Sequence, residues 1–392
     1  MTNALKVPSH ILSIIVFAQF AGTSLWFAVN AIIGDLQTVL GLAENAVGDI
    51  TAAVQLGFIV GTLGFAFLSI ADRYSPSKVF LVCAVLGALF NLGVYFLAKD
   101  LTSLLLLRFA TGFFLAGIYP VGMKIAADWY AKGLGKALGY LVGALVLGTA
   151  FPHLLKTIGQ SLPWEMILWL TSGMATLGGM LLFWLVPDGP NRKAGAKFEW
   201  NAIPKIFGFA DFRAAAFGYF GHMWELYTFW AFVPLILLTY NEINQSSLPV
   251  SLLAFLIIAI GSLGCIIGGY ISLRTGSKKV AFGMLLVSGI CCLLSPFIFQ
   301  LSTPLFLAIL LIWGFTVVGD SPQFSTIVAK TAPNLYIGTA LTIVNCIGFA
   351  LTILSIQVVG YLQHIVGLEN VFLVLLIGPI VGLITLKKGR TA

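Results

Sequence analysis

Apolar segments about 20 residues long recur from one end of this chain to the other. A segment of that length crosses the hydrocarbon core of a bilayer as one α-helix. Only 9% of the residues are charged and 59% are hydrophobic, whereas soluble domains carry about 25% charged residues. The chain therefore lacks the polar side chains to dress a water-facing surface. Inside a bilayer every backbone N–H and C=O needs a partner, and unbroken runs of this length meet that need as helices rather than barrel strands. The expected class is an all-α integral membrane protein.

Twelve spans are expected, near 9–33, 48–70, 78–98, 102–126, 135–157, 163–186, 212–240, 248–272, 278–300, 304–327, 337–361 and 367–386. The longest polar stretch, "PDGPNRKAGAKFEWNAIPK" at 187–205, reads as a linker. It divides the chain into a six-helix bundle over 1–186, a cytoplasmic linker over 187–211 and a second six-helix bundle over 212–392. With the N-terminus inside, 17 of the 21 lysines and arginines fall on the cytoplasmic side, and only Lys99 and Lys156 sit in loops on the other. That bias predicts both termini cytoplasmic in a multi-pass inner-membrane protein. It also accounts for the net charge of +7 without a nucleic-acid partner. The first span lacks a small-residue cleavage site and reads as an uncleaved helix. All five cysteines lie inside apolar spans with no CxxC pattern, so neither metal nor disulfide is expected.

The two halves repeat. "DRYSPSK" at 72–78 corresponds to "LRTGSKK" at 273–279, "GFFLAGIYP" at 112–120 to "GFTVVGDSP" at 314–322, and "GKALG" at 135 to "GTALT" at 338. Three matches in one order at offsets of 201 to 203 imply parallel repeats about an axis along the membrane normal. Twelve spans in two such pseudo-symmetric halves, joined by a cytoplasmic linker, resemble the major facilitator superfamily along essentially the whole chain. The family's loop motif after helix 2 is matched by Asp72 and Arg73, with Leu68 and Ser75 in place of its glycines. The second copy keeps Gly269, Arg274, Gly276, Lys278 and Lys279 but has Leu273 where the acid would stand. The resemblance implies that Asp72, Arg73 and Arg274 belong to a cytoplasmic gate, with Asp72 latching the halves in the outward-facing state. The alternative for these residues is plain topogenic charge.

The helix-4 motif of the family is also present, as Arg108, Gly112 and Gly117. An arginine in mid-span costs roughly 2.5–3.5 kcal/mol to insert, so it must meet a cavity or a partner. Polar residues recur at helical spacing in four spans: Gln19, Thr23, Trp26 and Asn30 in helix 1; His222, Glu225 and Phe229 in helix 7; Trp313, Thr316, Asp320 and Gln323 in helix 10; Thr342, Asn345, Phe349 and Thr352 in helix 11. The family lines its central cavity with helices 1, 4, 7 and 10. Expected substrate contacts are therefore Arg108, Tyr119, Gln19, Trp26, Asn30, His222, Gln323 and Asn345. Lys124 could reach the substrate or simply pair with Asp128 one turn on.

His222 and Glu225 stand one turn apart within the otherwise apolar and aromatic "GHMWELYTFWAF". They could form a structural pair across the bundle. Alternatively they handle protons: a glutamate among Trp224, Tyr227 and Trp230 is partly desolvated, and histidine titrates near neutral pH. Asp320, ahead of Pro322, joins them as a candidate for coupling or for helix packing.

No GxxxxGK[ST] occurs, which excludes a P-loop ATP-driven pump. Charges at single separated positions do not suit a channel filter, and no cluster of acid and histidine suits an enzyme. Helix 5 lacks the adjacent Gly-Pro of the family's drug antiporters, since Pro152 follows Gly148 by four residues. "ADWYAKGLGKALG" resembles the helix 4–5 turn of its anion/cation symporters and organic-phosphate antiporters. The expected function is a secondary transporter, monomeric and without cofactor, that moves a small organic anion by alternating access coupled to protons. The alternative is a proton-coupled exporter of amphipathic or drug-like compounds.

Overall fold

The computed structural model describes residues 8–43, 46–130, 134–159, 163–192 and 198–389. Among them, 11 helices are long and apolar enough to cross a membrane, and a shorter apolar helix, Ser9–Thr23, precedes them. Helix 1 comprises Ser9–Thr23 and its continuations Ala28–Ala31 and Ile33–Leu40. Helices 2 and 3 are Ala46–Phe67 and Pro76–Leu97, and helix 4 is Leu101–Leu115 followed by Tyr119–Trp129. Helices 5 and 6 are Leu134–Ile158 and Glu165–Leu185. Helices 7, 8 and 9 are Ala210–Asn244, Val250–Thr275 and Ser277–Leu294. Helix 10 is Thr303–Gly319 followed by Ser321–Thr331, helix 11 is Ile337–Val366, and helix 12 ends in Ile377–Lys388. Lys6, Lys132, Lys193, Lys197 and Arg390, which contribute to the charge bias, lie outside the described residues.

The repeat has a physical basis in close helix crossings. Helices 2 and 4 meet at Gly112, where an added Cβ would lie 1.9 Å from the Val54 carbonyl oxygen. Helices 8 and 10 meet in the same way at Gly314, where the Cβ would lie 1.9 Å from the Ile257 carbonyl oxygen. Lipid supplies no hydrophobic drive for helix association, so close backbone contact through small residues does the work. Helices 4 and 10 then break at equivalent places. Pro120 and Pro322 each stand in the first turn of the second segment, where the missing N–H costs nothing. On the side away from the linker, Asp100 starts helix 4 with a capping box on Ser103, whose amide lies 2.8 Å from Asp100 Oδ1. Those bonds hold the exposed Asp100 carboxyl below its ordinary range.

The halves touch along helices 5 and 8 and along helices 2 and 11. On the side away from the linker they are fastened by Thr352, which bonds Gln55 Oε1, and by Gln357, which donates to Asp49 Oδ1 at 3.1 Å. On the linker side they part around a cavity.

Candidate functional site

The cavity holds about 930 Å³ and is walled by helices from both halves. Helix 4 contributes Tyr119, Met123 and Lys124; helix 7 contributes Tyr219, Met223 and Tyr227; helix 11 contributes Thr342, Asn345 and Phe349. Lys330, at the end of helix 10, stands at the mouth, and no aspartate or glutamate occurs among the described residues of the wall. Tyr219 donates to Asn345 Oδ1 at 2.8 Å and so fixes one polar corner.

A stack of aromatic rings closes the far end. Trp26 packs on Tyr227 and Phe349 with ring centroids 5.7 and 5.6 Å away, and Phe58 packs on Phe349 at 4.6 Å. Trp26 and Phe58 come from the first half, Tyr227 and Phe349 from the second. All four are buried, so the floor exists only while the halves are together on that side.

The floor depends on a break in helix 1. An unbroken helix over 9–33 with one polar face is not what forms. The hydroxyls of Thr23 and Ser24 donate back to the Gln19 and Ala21 carbonyls at 2.8 and 2.7 Å, and the helix stops after Thr23. The carbonyls of Leu25 and Trp26 are taken instead by Arg108, through Nη1 at 3.2 Å and Nη2 at 2.5 Å. Asn91 Oδ1 accepts a third, longer bond from Nη1 at 3.4 Å.

Arg108 is fully buried and lies off the cavity wall. The guanidinium of Arg108, an expected substrate contact, here spans two backbone carbonyls instead, a task that suits its forked donors. Gln19 is also off the wall, packed against Gly122, and Asn30 donates to Thr51 Oγ1 at 2.8 Å on the far side. Gln323 is buried outside the cavity. Of the expected contacts, Tyr119 and Asn345 stand on the wall and Trp26 in the floor.

His222 and Glu225 do not face each other. His222 Nδ1 lies 2.8 Å from Asp320 Oδ1, an ion pair when the imidazole is protonated. Both side chains are buried, and among the described residues neither His222 Nε2 nor Asp320 Oδ2 has a hydrogen-bond partner. Tyr219, Met223, Val318 and Ser321, the neighbours of this pair along helices 7 and 10, line the cavity. The pair thus sits one residue behind the wall, and His222, an expected substrate contact, faces Asp320 here rather than the cavity. Glu225 points the other way, into helices 9 and 10. Its oxygens accept from Trp313 Nε1 at 2.5 Å, Ser288 Oγ at 3.0 Å and Cys292 Sγ at 3.3 Å. Three residues of spacing put both groups in mid-helix; packing gave each a different partner.

Asp72 Oδ1 pairs at 2.9 Å with Lys124 of its own half, not with the second half. Arg192 anchors the same loop by donating to the Asp72 and Tyr74 carbonyls at 3.2 and 2.8 Å. Arg73 and Arg274 are both exposed. Among the described residues, Asp72 makes no ion pair with the second half. Sequence reasoning gave Lys330 no role beyond topogenic charge; a cation at the end of a cavity-lining helix was the signal it passed over.

A family profile described as Major Facilitator Superfamily matches residues 12–356. The solute carrier family 22 member 1 of Oryctolagus cuniculus is 26% identical over 153 residues, 39% of this chain and 26% of that protein. The match to this curated relative thus takes in only about a quarter of its length. A galacturonate transporter of Dickeya chrysanthemi is 23% identical over 288 residues, 62% of this chain and 80% of that protein. The crystal structure of the human organic anion transporter MFSD10 superposes with a TM-score of 0.74 at 14% identity, covering 97% of this chain and 100% of that one.

Proposed function

This chain belongs to the Major Facilitator Superfamily, and on that premise we propose that it is a secondary transporter of an organic anion with an apolar or aromatic body. The observation that carries the reading is the cavity: two lysines from different halves, no wall carboxylate among the described residues, and an aromatic floor. An anion gains charge-assisted bonds there, and its apolar part gains contact with Met123, Met223 and Tyr227. The galacturonate and organic anion transporters among the similar proteins agree with this in substrate charge. If the charge bias sets the linker side as cytoplasmic, the cavity is the inward-open half of an alternating-access cycle. The aromatic floor is then the outer gate.

Proton coupling is assigned to the His222–Asp320 pair. It is buried, lacks other polar support among the described residues and adjoins the wall, so its charge state can bias the packing of helices 7 and 10 against the substrate. Asp72, held by Lys124, ties up one of the two cations of the cavity while the halves are open. The methionines and tyrosines of the wall also favour a second reading, export of amphipathic neutral compounds.

Binding of an anion and of its uncharged amide to the purified protein separates the two. Lys330→Gln and Lys124→Gln are each expected to weaken the anion about tenfold, the loss of one charge-assisted bond, and to leave the amide unchanged. Asp72→Asn frees Lys124 and is expected to tighten the anion. Equal binding of anion and amide by the parent protein would decide for the amphipathic exporter.

A further inference from the structure

On the face of helix 5 turned away from the cavity residues Leu138 and Val142, a second feature joins the two halves. Lys136, exposed in the first turns of helix 5, holds its ammonium 6.0 Å from the Tyr140 ring centre and 5.9 Å from that of Tyr270 on helix 8. The two tyrosine hydroxyls lie 3.3 Å apart. One proton serves that contact, which leaves the other free to donate outward. Between the helices is a cavity of about 20 Å³, floored by Gly139 and Gly269, enough for a single oxygen atom. A Cβ added at Gly269 would meet nothing within 4 Å, so the space is open rather than a tight crossing. No carboxylate pairs with Lys136 among the described residues.

We propose that this seam of helices 5 and 8 binds the phosphate headgroup of an anionic membrane lipid. An ammonium with three donors and a free phenol proton, paired with no acid among the described residues, match a phosphate monoanion and nothing cationic. The position selects lipid over free phosphate. Lys136 and Tyr270 stand toward the linker-side ends of helices 5 and 8, and tyrosine and lysine commonly anchor span ends at the headgroups. Ile267, Ile271 and Leu273 of helix 8 are exposed beside the seam, with Leu273 at 75%, and offer apolar surface to an acyl chain. One wall of the seam comes from each half, so a bound headgroup would bridge them where they slide past each other.

The test is native mass spectrometry of the full chain in detergent, titrated with phosphatidylglycerol, phosphatidylcholine or inorganic phosphate. Phosphatidylglycerol is expected to remain bound and phosphatidylcholine to leave. Lys136→Gln should weaken retention about fivefold, the usual effect of one cation at an anionic headgroup. The double variant Tyr140→Phe, Tyr270→Phe should weaken it as well, and Lys279→Gln, an exposed cation elsewhere on the same side, should not. Full retention in Lys136→Gln, or equal losses in Lys136→Gln and Lys279→Gln, would overturn the site. Displacement of the lipid by millimolar inorganic phosphate would overturn the lipid assignment and make the seam an anion site open to water.

Discussion

Arg108→Ala is expected to cost roughly 2–9 kcal/mol of stability, two to three buried acceptors at about 1–3 kcal/mol each. The change strips the donors from the Leu25 and Trp26 carbonyls, which lie where helix 1 has no helical N–H to offer them. Water cannot replace the guanidinium, because the site is fully buried. Denaturant or thermal unfolding in detergent would show the loss as a lowered midpoint. Arg108→Lys should recover only part of it, since one ammonium does not bridge two carbonyls and Asn91 together. The floor should suffer too: Trp26 hangs from the same turn, so cysteine labelling from the side away from the linker should become faster. A variant with parent stability and lost substrate affinity would return Arg108 to the substrate and end its role as a clamp on the helix 1 backbone.

Asp320→Asn is expected to abolish accumulation driven by a proton gradient while sparing exchange of substrate for substrate. With one proton per substrate, each pH unit across the membrane supports about tenfold accumulation, or 1.36 kcal/mol. Without a titrating partner for His222 that ratio should fall to one in proteoliposomes. Counterflow needs only the empty and loaded carrier to rock, so it should stay within about threefold of the parent, a shift of under 1 kcal/mol. Loss of both activities together would assign Asp320 to folding or to the substrate. Glu225→Gln is a poorer probe of coupling. Glu225 already accepts from Trp313, Ser288 and Cys292, and glutamine would turn an NH2 group toward those donors. Its expected effect is a loss of stability in the packing of helices 7, 9 and 10.

The membrane class and the twelve spans were legible in the sequence because they follow from hydrophobicity and length, which local composition reports directly. So was the repeat: Gly112 and Gly314 recur because the same close crossing is built twice, and each constrains its own position to the smallest side chain. Helices 1, 4, 7 and 10 were found to carry buried polar groups for a similar reason, since an apolar span tolerates such groups only where they have somewhere to point. Where they point was decided by the tertiary structure. Arg108 could equally meet a substrate or a backbone; the break at Thr23, set by two hydroxyls bonding backwards, supplied the backbone. His222 and Glu225 share a short stretch of helix 7, yet a turn of about 60° between them sends one to Asp320 and the other to Trp313. Lys330 reads as loop charge until the halves separate and leave it on the rim of a cavity. Insertion into a membrane is a property of each segment by itself, whereas pairing of buried polar groups is a property of which segments become neighbours.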